Sequence, residues 1–286
     1  RLNMPELPEV ETIIRDLTVH LVNKTIKQVS VTYPGSINQK PAKFIAHLEG
    51  QKIKNLSRRG KNIILQLATD YLVIHLKMTG QLVWRGGRTT LAGGHPIINV
   101  GQELPNKFTR VILKFAAGTL YFNDVRKFGW VRIMTASELE LYLQRLGVEP
   151  LGIDFTKDYL QTALAAKRIA IKAALLDQSK IAGLGNIYVD EALWASGIAP
   201  TRPASSLSKP ELKKLQQSIV AVLNLSISQR GTSFNNYRDG NGEAGNNMKF
   251  LKVYGRANEA CPKCRRPLKK FRLAGRGTHW CDHCQK

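Results

Sequence analysis

The sequence predicts an α+β protein, an antiparallel β-sandwich with a leading helix followed by a helical domain and a small cysteine module. Three observations carry this prediction. Period-two apolar runs dominate the first half, helical periodicity takes over from Ser137, and all four cysteines fall in the closing stretch from Cys261 to Cys284. A chain of 286 residues that is 43% hydrophobic suffices for two domains and a sizeable core.

The first element is a helix. Val10, Ile13, Ile14, Leu17 and Leu21 recur at helical spacing and form one apolar face. Pro8 suits a first helical position, and Glu9 and Glu11 suit the positive end of the helix dipole. Short strands follow at Val29–Tyr33, Ile53–Leu56, Ile63–Leu67, Leu72–Leu76 and Gln81–Trp84, punctuated by Pro34-Gly35 and Arg59-Gly60. Gly86 to Asn106 reads as a loop. Strands resume at Val111–Phe115, Leu120–Phe122 and Trp130–Met134. Helices are expected at Ser137–Leu146, Lys157–Ala166, Ala170–Leu176, Asn186–Ala195 and Ser208–Gln229, which puts a domain boundary near Gly147 to Asp154 and divides the chain into 1–150, 151–250 and 251–286. Residues 231–247 are almost devoid of aliphatic side chains. A flexible linker and a mobile lid read alike from that composition.

Lys and Arg total 43 against 21 for Asp and Glu, a formal net charge of +22. Such an imbalance argues against a small neutral substrate and for a polyanionic partner, nucleic acid before membrane. No apolar run approaches the roughly 20 residues of a spanning helix, and the acidic start does not resemble a signal peptide, so a cytoplasmic location is expected. Residues 251–286 carry ten Lys or Arg against Glu259 and Asp282, which points to phosphate contact.

Cys261-x2-Cys264 and Cys281-x2-Cys284, sixteen residues apart, have the spacing of a four-thiolate zinc site. Disulfides are the competing reading, disfavoured in a leaderless basic chain. His279 and His283 lie close enough to replace a thiolate, but four cysteines already complete a tetrahedron, so one structural Zn2+ bound by cysteines alone is expected.

Four further stretches are candidates for chemistry. Met4-Pro5-Glu6 precedes the first helix and adds nothing to its apolar face. Removal of Met4 would leave a secondary amine on Pro5 with Glu6 beside it. An α-amino group titrates near 7.7 to 8.0, so a neutral, nucleophilic fraction exists at pH 7. In Arg58-Arg59-Gly60-Lys61 a solvated charge cluster is the usual explanation, yet Gly60 permits a tight turn that aims Lys61. Gly183-Leu184-Gly185-Asn186 is either a plain interhelical turn or a phosphate clamp with Asn186 as the helix cap. Met78 and Phe128 each end a strand beside a glycine; both are ordinary core residues by type, and both neighbour cations, as do apolar wedges that part base steps.

In this order the segments closely resemble bacterial formamidopyrimidine-DNA glycosylases across nearly the whole chain. The resemblance rests on Met4 to Glu11, on Asp124-Val125-Arg126-Lys127-Phe128-Gly129, on Leu175 to Gln178 followed by Ile181 to Glu191, on Val253-Tyr254-Gly255-Arg256, and on the cysteine module. It implies a base-excision repair enzyme, a glycosylase and abasic-site lyase that everts an oxidised purine such as 8-oxoguanine or a formamidopyrimidine from duplex DNA. It also implies a helix-two-turns-helix motif in the second domain and a DNA cleft between the domains. By the same resemblance Pro5 is the Schiff-base nucleophile, Glu6 gives acid-base help at the sugar, and Lys61 holds phosphate and assists proton transfer. Met78, Arg126 and Phe128 fill the gap left by the everted base and probe its partner. Asn186 and Arg276 grip phosphates, 231–247 matches the lid, and monomeric action is expected.

Two alternatives stay open. Endonuclease VIII enzymes share the architecture and prefer oxidised pyrimidines, but typically carry Gly where this chain has Leu7. A non-catalytic DNA-binding paralogue is the other: if Arg1 to Met4 persist, the Pro5 nitrogen is an amide without a basic lone pair and forms no Schiff base.

Overall fold

A computed structural model of the chain describes residues 4–95, 103–231 and 247–286. The segment 232–246, which takes in all but the ends of the predicted linker or lid, lies outside the described residues. The chain divides into two compact units. One comprises Arg1–Gln144 and Gln229–Asn246, the other Arg145–Ser228 and Asn247–Lys286.

The first unit begins with α1 (Leu7–Leu21) and continues through β1 (Gln28–Val31), α2 (Pro41–Leu48), β2 (Asn55–Arg59), β3 (Asn62–Gln66), β4 (Tyr71–His75), β5 (Gly80–Gly86), β6 (Thr89–Gly94), β7 (Thr109–Phe115), β8 (Gly118–Asp124), β9 (Trp130–Met134) and α3 (Ala136–Leu143). Its strands form two antiparallel sheets, one in the order β1-β7-β8-β5-β6 and the other β2-β3-β4-β9. Both sheets and the apolar face of α1 share one core, to which Val10, Ile13, Leu17, Leu65, Ile74, Trp84, Leu113 and Phe122 belong. The sandwich and its leading helix are those predicted.

Strand β3 reads as a continuous apolar run because both its faces are covered. Ile63 and Leu65 enter the main core, while Ile64 joins Val73, Trp130, Met134 and Leu139 in a second cluster. That cluster seats α3, whose start is fixed by Thr135: its hydroxyl accepts the Glu138 N–H, and Glu138 accepts the Thr135 N–H at 2.8 Å.

Three sequence expectations are corrected here. Gly86 to Asn106 is not loop throughout, since β6 pairs with β5 through a two-residue turn at Gly87-Arg88. The glycines that suggested a loop serve a close approach: a Cβ on Gly93 would sit 2.3 Å from Ile13 Cγ1 of α1. Residues 96–102 of that stretch are outside the described residues. Ile53 precedes its strand rather than starting it, because its backbone is paired with Asn23 and Lys24 in the turn after α1. The helix α2, absent from the sequence reading, starts with Pro41 and buries Phe44 and Leu48.

The second unit holds α4 (Lys157–Leu164), α5 (Ile171–Leu175), α6 (Asn186–Ser196), α7 (Lys209–Ser228) and the hairpin β10 (Lys269–Leu273) and β11 (Arg276–Trp280). Nine of the eleven residues of α6 are buried, so it is wrapped on every side and Asp190 and Glu191 lie inside. Left-handed Gly197 (φ 79°) terminates it.

Candidate functional site

The start of α1 is where the sequence-predicted chemistry begins. Pro5 is buried, and Glu6 is the N-cap residue at 3% exposure. The helix therefore begins at Leu7, one residue before the predicted Pro8. Glu9, fully buried, accepts the Glu6 N–H at 2.9 Å and thereby holds the backbone of the Pro5-Glu6 segment against the helix end. Sequence reading assigned Glu9 only a dipole role; the signal for more was its position three residues after a carboxylate cap.

Lys61 occupies the two-residue turn between β2 and β3 with Gly60, whose φ of 57° suits a residue without Cβ. It is not a projecting cation, being only 6% exposed. Its hairpin is tied to α1, because Arg58 donates to Glu11 at 2.9 Å and to the Gly60 carbonyl at 3.1 Å. Burial opposes ionisation of Glu11, but hydrogen bonds from Arg58 and Arg15 outweigh it and hold the carboxyl below its ordinary value. His75 lies opposite Asn62 in the adjoining strand. Burial, reinforced by Lys77 and Lys61, pushes its imidazole down to about 3, so it is neutral at pH 7. Its Nδ1 accepts the Lys77 N–H at 2.9 Å, which leaves the proton on Nε2 as a donor. His75 was not singled out in the sequence.

Met78, Arg126 and Phe128 come together at the ends of β4 and β8. The Arg126 guanidinium lies 4.6 Å from the Phe128 ring centroid and donates to Met78 Sδ at 3.2 Å. Phe128 is 52% exposed, so it is not a core residue. An exposed aromatic stacked beneath a guanidinium, with a thioether alongside, makes an apolar wedge with a cationic edge.

In the second unit Asn186 does not cap α6. The N-cap is Gly185, and Asn186, the first helical residue, instead donates through Nδ2 to the Gly277 carbonyl at 2.9 Å. Lys172 donates to the same carbonyl at 2.9 Å. Gly277 follows Arg276, which is exposed at the head of β11 after a turn of left-handed Ala274 and Gly275. Asn186 and Arg276 are thus joined through one carbonyl. Two buried carboxylates brace this arrangement. Asp190 pairs with Lys172 at 2.6 Å and accepts the His279 N–H at 2.9 Å. Glu191 accepts the N–H groups of Lys252, Val253 and Tyr254 at 2.8 to 2.9 Å, although burial raises its pKa.

The four cysteine sulfurs lie within 4.8 Å of one another, with Cys264–Cys281 at 3.5 Å and Cys261–Cys284 at 3.9 Å. A disulfide needs about 2.05 Å. Tetrahedral zinc with Zn–S bonds of about 2.3 Å separates sulfurs by roughly 3.8 Å, which these distances match. The cysteines hold a structural zinc. His279 is committed to Asp190 and, edge-on, to Tyr254, outside the thiolate cluster. Lys263, between the first two cysteines, lies 4.2 Å from the Trp194 ring centroid and donates to the Trp194 carbonyl at 3.0 Å, docking the knuckle on α6.

Three family models match the chain in succession. Residues 4–131 match the formamidopyrimidine-DNA glycosylase N-terminal domain, 146–237 the H2TH domain of the same enzymes, and 258–286 a zinc finger found in FPG and IleRS. The chain belongs to the formamidopyrimidine-DNA glycosylase family. Relatives of that name include one from Desulfitobacterium hafniense, 42% identical over 286 residues and covering 99% of this chain and 100% of its own, and one from Moorella thermoacetica, 44% identical over 274 residues with 94% and 95% covered. Among solved structures, wild-type Lactococcus lactis Fpg bound to N7-benzyl-Fapy-dG DNA matches with a TM-score of 0.87 at 33% identity, covering 99% of this chain and 100% of that one. The same protein bound to DNA with an abasic site also matches at 0.87, with 32% identity and 98% and 99% covered. The protein is accordingly a DNA repair glycosylase of the formamidopyrimidine-DNA glycosylase family, with an H2TH domain and a zinc finger.

Proposed function

We propose that the protein excises oxidised purines, 8-oxoguanine and formamidopyrimidines, from duplex DNA and then cleaves the abasic site by β- and δ-elimination. The observation that carries this reading is the Pro5-Glu6 pair held at the mouth of α1, with Glu9 bonded to the backbone between them and the helix. The acting species begins at Pro5, because only a free secondary amine has the lone pair the reaction needs. The amine attacks C1′ as the bond to the damaged base breaks, and the base leaves with the amine proton; protonation of O4′ then breaks the C1′–O4′ bond and opens the sugar to a C1′ iminium, which acidifies the C2′ hydrogen for elimination of the 3′ phosphate and then the 5′ phosphate. Glu6 acts as acid-base group at the sugar oxygen, a role its burial beside Pro5 supports.

In this reading Lys61 holds a phosphate beside neutral His75. Met78, Arg126 and Phe128 occupy the space vacated by the everted base, and Asn186 and Arg276 grip the phosphates flanking the lesion. The Gly277 carbonyl fixes the Asn186 amide, so its second N–H is available to a phosphate oxygen. The purine preference is supported by buried Leu7 after the catalytic pair and by Fapy-dG as the lesion in several of the L. lactis complexes, of which another holds an oxidised pyrimidine.

The test pairs mass spectrometry of the native N-terminus with borohydride trapping on duplexes carrying 8-oxoguanine or an oxidised pyrimidine. The expected result is a species starting at Pro5 that is trapped covalently and prefers the purine lesion. Efficient trapping through Pro5 by a chain that retains Arg1 to Met4 contradicts the amine mechanism, and faster excision of the pyrimidine points to an endonuclease VIII-like enzyme.

A further inference from the structure

The three side chains of the wedge come from two separate turns. Met78 lies in the turn between β4 and β5, and Arg126 and Phe128 lie in the turn between β8 and β9. Both turns contain a lysine with left-handed backbone, Lys77 at φ 50° and Lys127 at φ 59°. Side-chain-bearing residues adopt that conformation only where their surroundings dictate it.

A single carboxylate links the two turns. Asp124, the last residue of β8 and fully buried, stands opposite Gly80 in the ladder. Its Oδ1 accepts the hydroxyl of Thr79, the neighbour of Met78, and the N–H of Arg126 at 3.2 Å. Its Oδ2 accepts the Gly129 N–H at 2.6 Å, closing the second turn around Phe128. Thr79 Oγ1 in turn accepts the Arg126 N–H at 3.1 Å, so one hydroxyl bridges the two turns. Arg110, itself buried, donates to the Asp124 carbonyl at 2.9 Å. Lys127, in the second turn, and Arg110, on β7, lie 4.8 Å and 5.6 Å from the same Tyr33 ring centroid.

We infer that Asp124 is the positioning residue that makes Met78, Arg126 and Phe128 one rigid unit, so that filling the gap and probing the estranged base are a single event. The inference rests on the proposed lesion-excising function. Both oxygens of the carboxylate are used as acceptors, Oδ1 joining the two turns and Oδ2 closing the second. An amide in its place has one acceptor oxygen: turned to Gly129 it sets its NH2 against the Arg126 N–H, and turned to Arg126 it sets its NH2 against the Gly129 N–H, so Asp124→Asn opposes a backbone donor in either orientation while keeping shape and volume. Thr79→Val removes the bridging hydroxyl with the carboxylate intact. Neither change touches Pro5, Glu6 or Lys61.

The experiment compares wild type, Asp124→Asn and Thr79→Val on two substrates and one reporter. The substrates are an 8-oxoguanine duplex and a single-stranded oligonucleotide with a preformed abasic site, which has no partner base to probe. The reporter is the fluorescence of 2-aminopurine placed opposite the lesion, which rises when that base is unstacked. In both variants kcat/KM on the duplex falls about tenfold, the worth of a charge-assisted hydrogen bond, and the fluorescence rise is lost, while cleavage of the single strand stays within about twofold of wild type by the same argument. Retention of the duplex rate, retention of the fluorescence rise, or an equal loss on the single strand overturns the inference. A wild-type protein that cleaves the abasic strand but leaves 8-oxoguanine in place overturns the proposed lesion specificity instead.

Discussion

The ion pair between Lys172 and Asp190 joins α5 to α6, and its side chains are 1% and 0% exposed at 2.6 Å separation. Asp190→Asn keeps the shape and an acceptor for the His279 N–H but leaves a buried ammonium without its counter-charge. Breaking a buried pair in this one-sided way costs about 3–5 kcal/mol. The unit that contains it holds roughly 120 residues, for which each kcal/mol lowers the midpoint by about 4 °C. The expected shift in the calorimetric transition of that unit is therefore about 12–20 °C. Because Lys172 also donates to Gly277, the same substitution loosens the turn bearing Arg276, and affinity for DNA falls with it. Adding Lys172→Met removes the stranded charge, so the double variant recovers at least half of the lost stability. A single variant that melts within about 4 °C of wild type, or a double variant in which the two losses simply add, refutes the argument.

Two further predictions concern packing and pH. Gly93→Ala drives a methyl into Ile13 and costs about 1–3 kcal/mol, whereas in an Ile13→Ala background the added methyl costs nothing; strict additivity in the urea-unfolding cycle excludes the close-approach explanation for this glycine. Glu211 is held at a pKa of about 2, first by Arg202 and then by Ser208 at the start of α7. Its folded pKa lies below the unfolded value of about 4.3, so its contribution is complete above that pH and is lost as pH falls toward 2. The stability gap between wild type and Glu211→Gln, read from denaturant midpoints, accordingly narrows from pH 5 to pH 3; a constant gap rejects the pairing.

What was legible in the sequence and what was not divide along physical lines. The apolar face of α1, the alternating strands and the order of sheet and helices depend on periodicity within a few residues, and the structure carries them as read. The zinc site was equally local, since two Cys-x2-Cys knuckles bring four thiolates together wherever they fold. Gly93 failed as a loop signal because its reason for being glycine is Ile13, eighty residues earlier. Asn186 failed as a cap because its amide answers to Gly277 on a distant hairpin. Lys61 and Phe128 show the same division from opposite sides: the sequence left each with two readings, and only packing shows that the lysine is buried and the aromatic exposed.

The residues that brace the site, Glu9, Asp124, Lys172, Asp190 and Glu191, are charged side chains whose meaning changes with burial. In a linear chain each is one more solvated charge among 64 acidic and basic residues. Only packing removes water from them and supplies the N–H groups, hydroxyl and ammonium that replace it. The sequence by itself determined the elements, the thiolate spacing and the family motifs, because these are properties of neighbours along the chain. The tertiary structure decided which carboxylates hold the Pro5-Glu6 segment, the Met78-Arg126-Phe128 cluster and the Gly277 turn in place, because hydrogen-bond partners and dielectric are properties of neighbours in space.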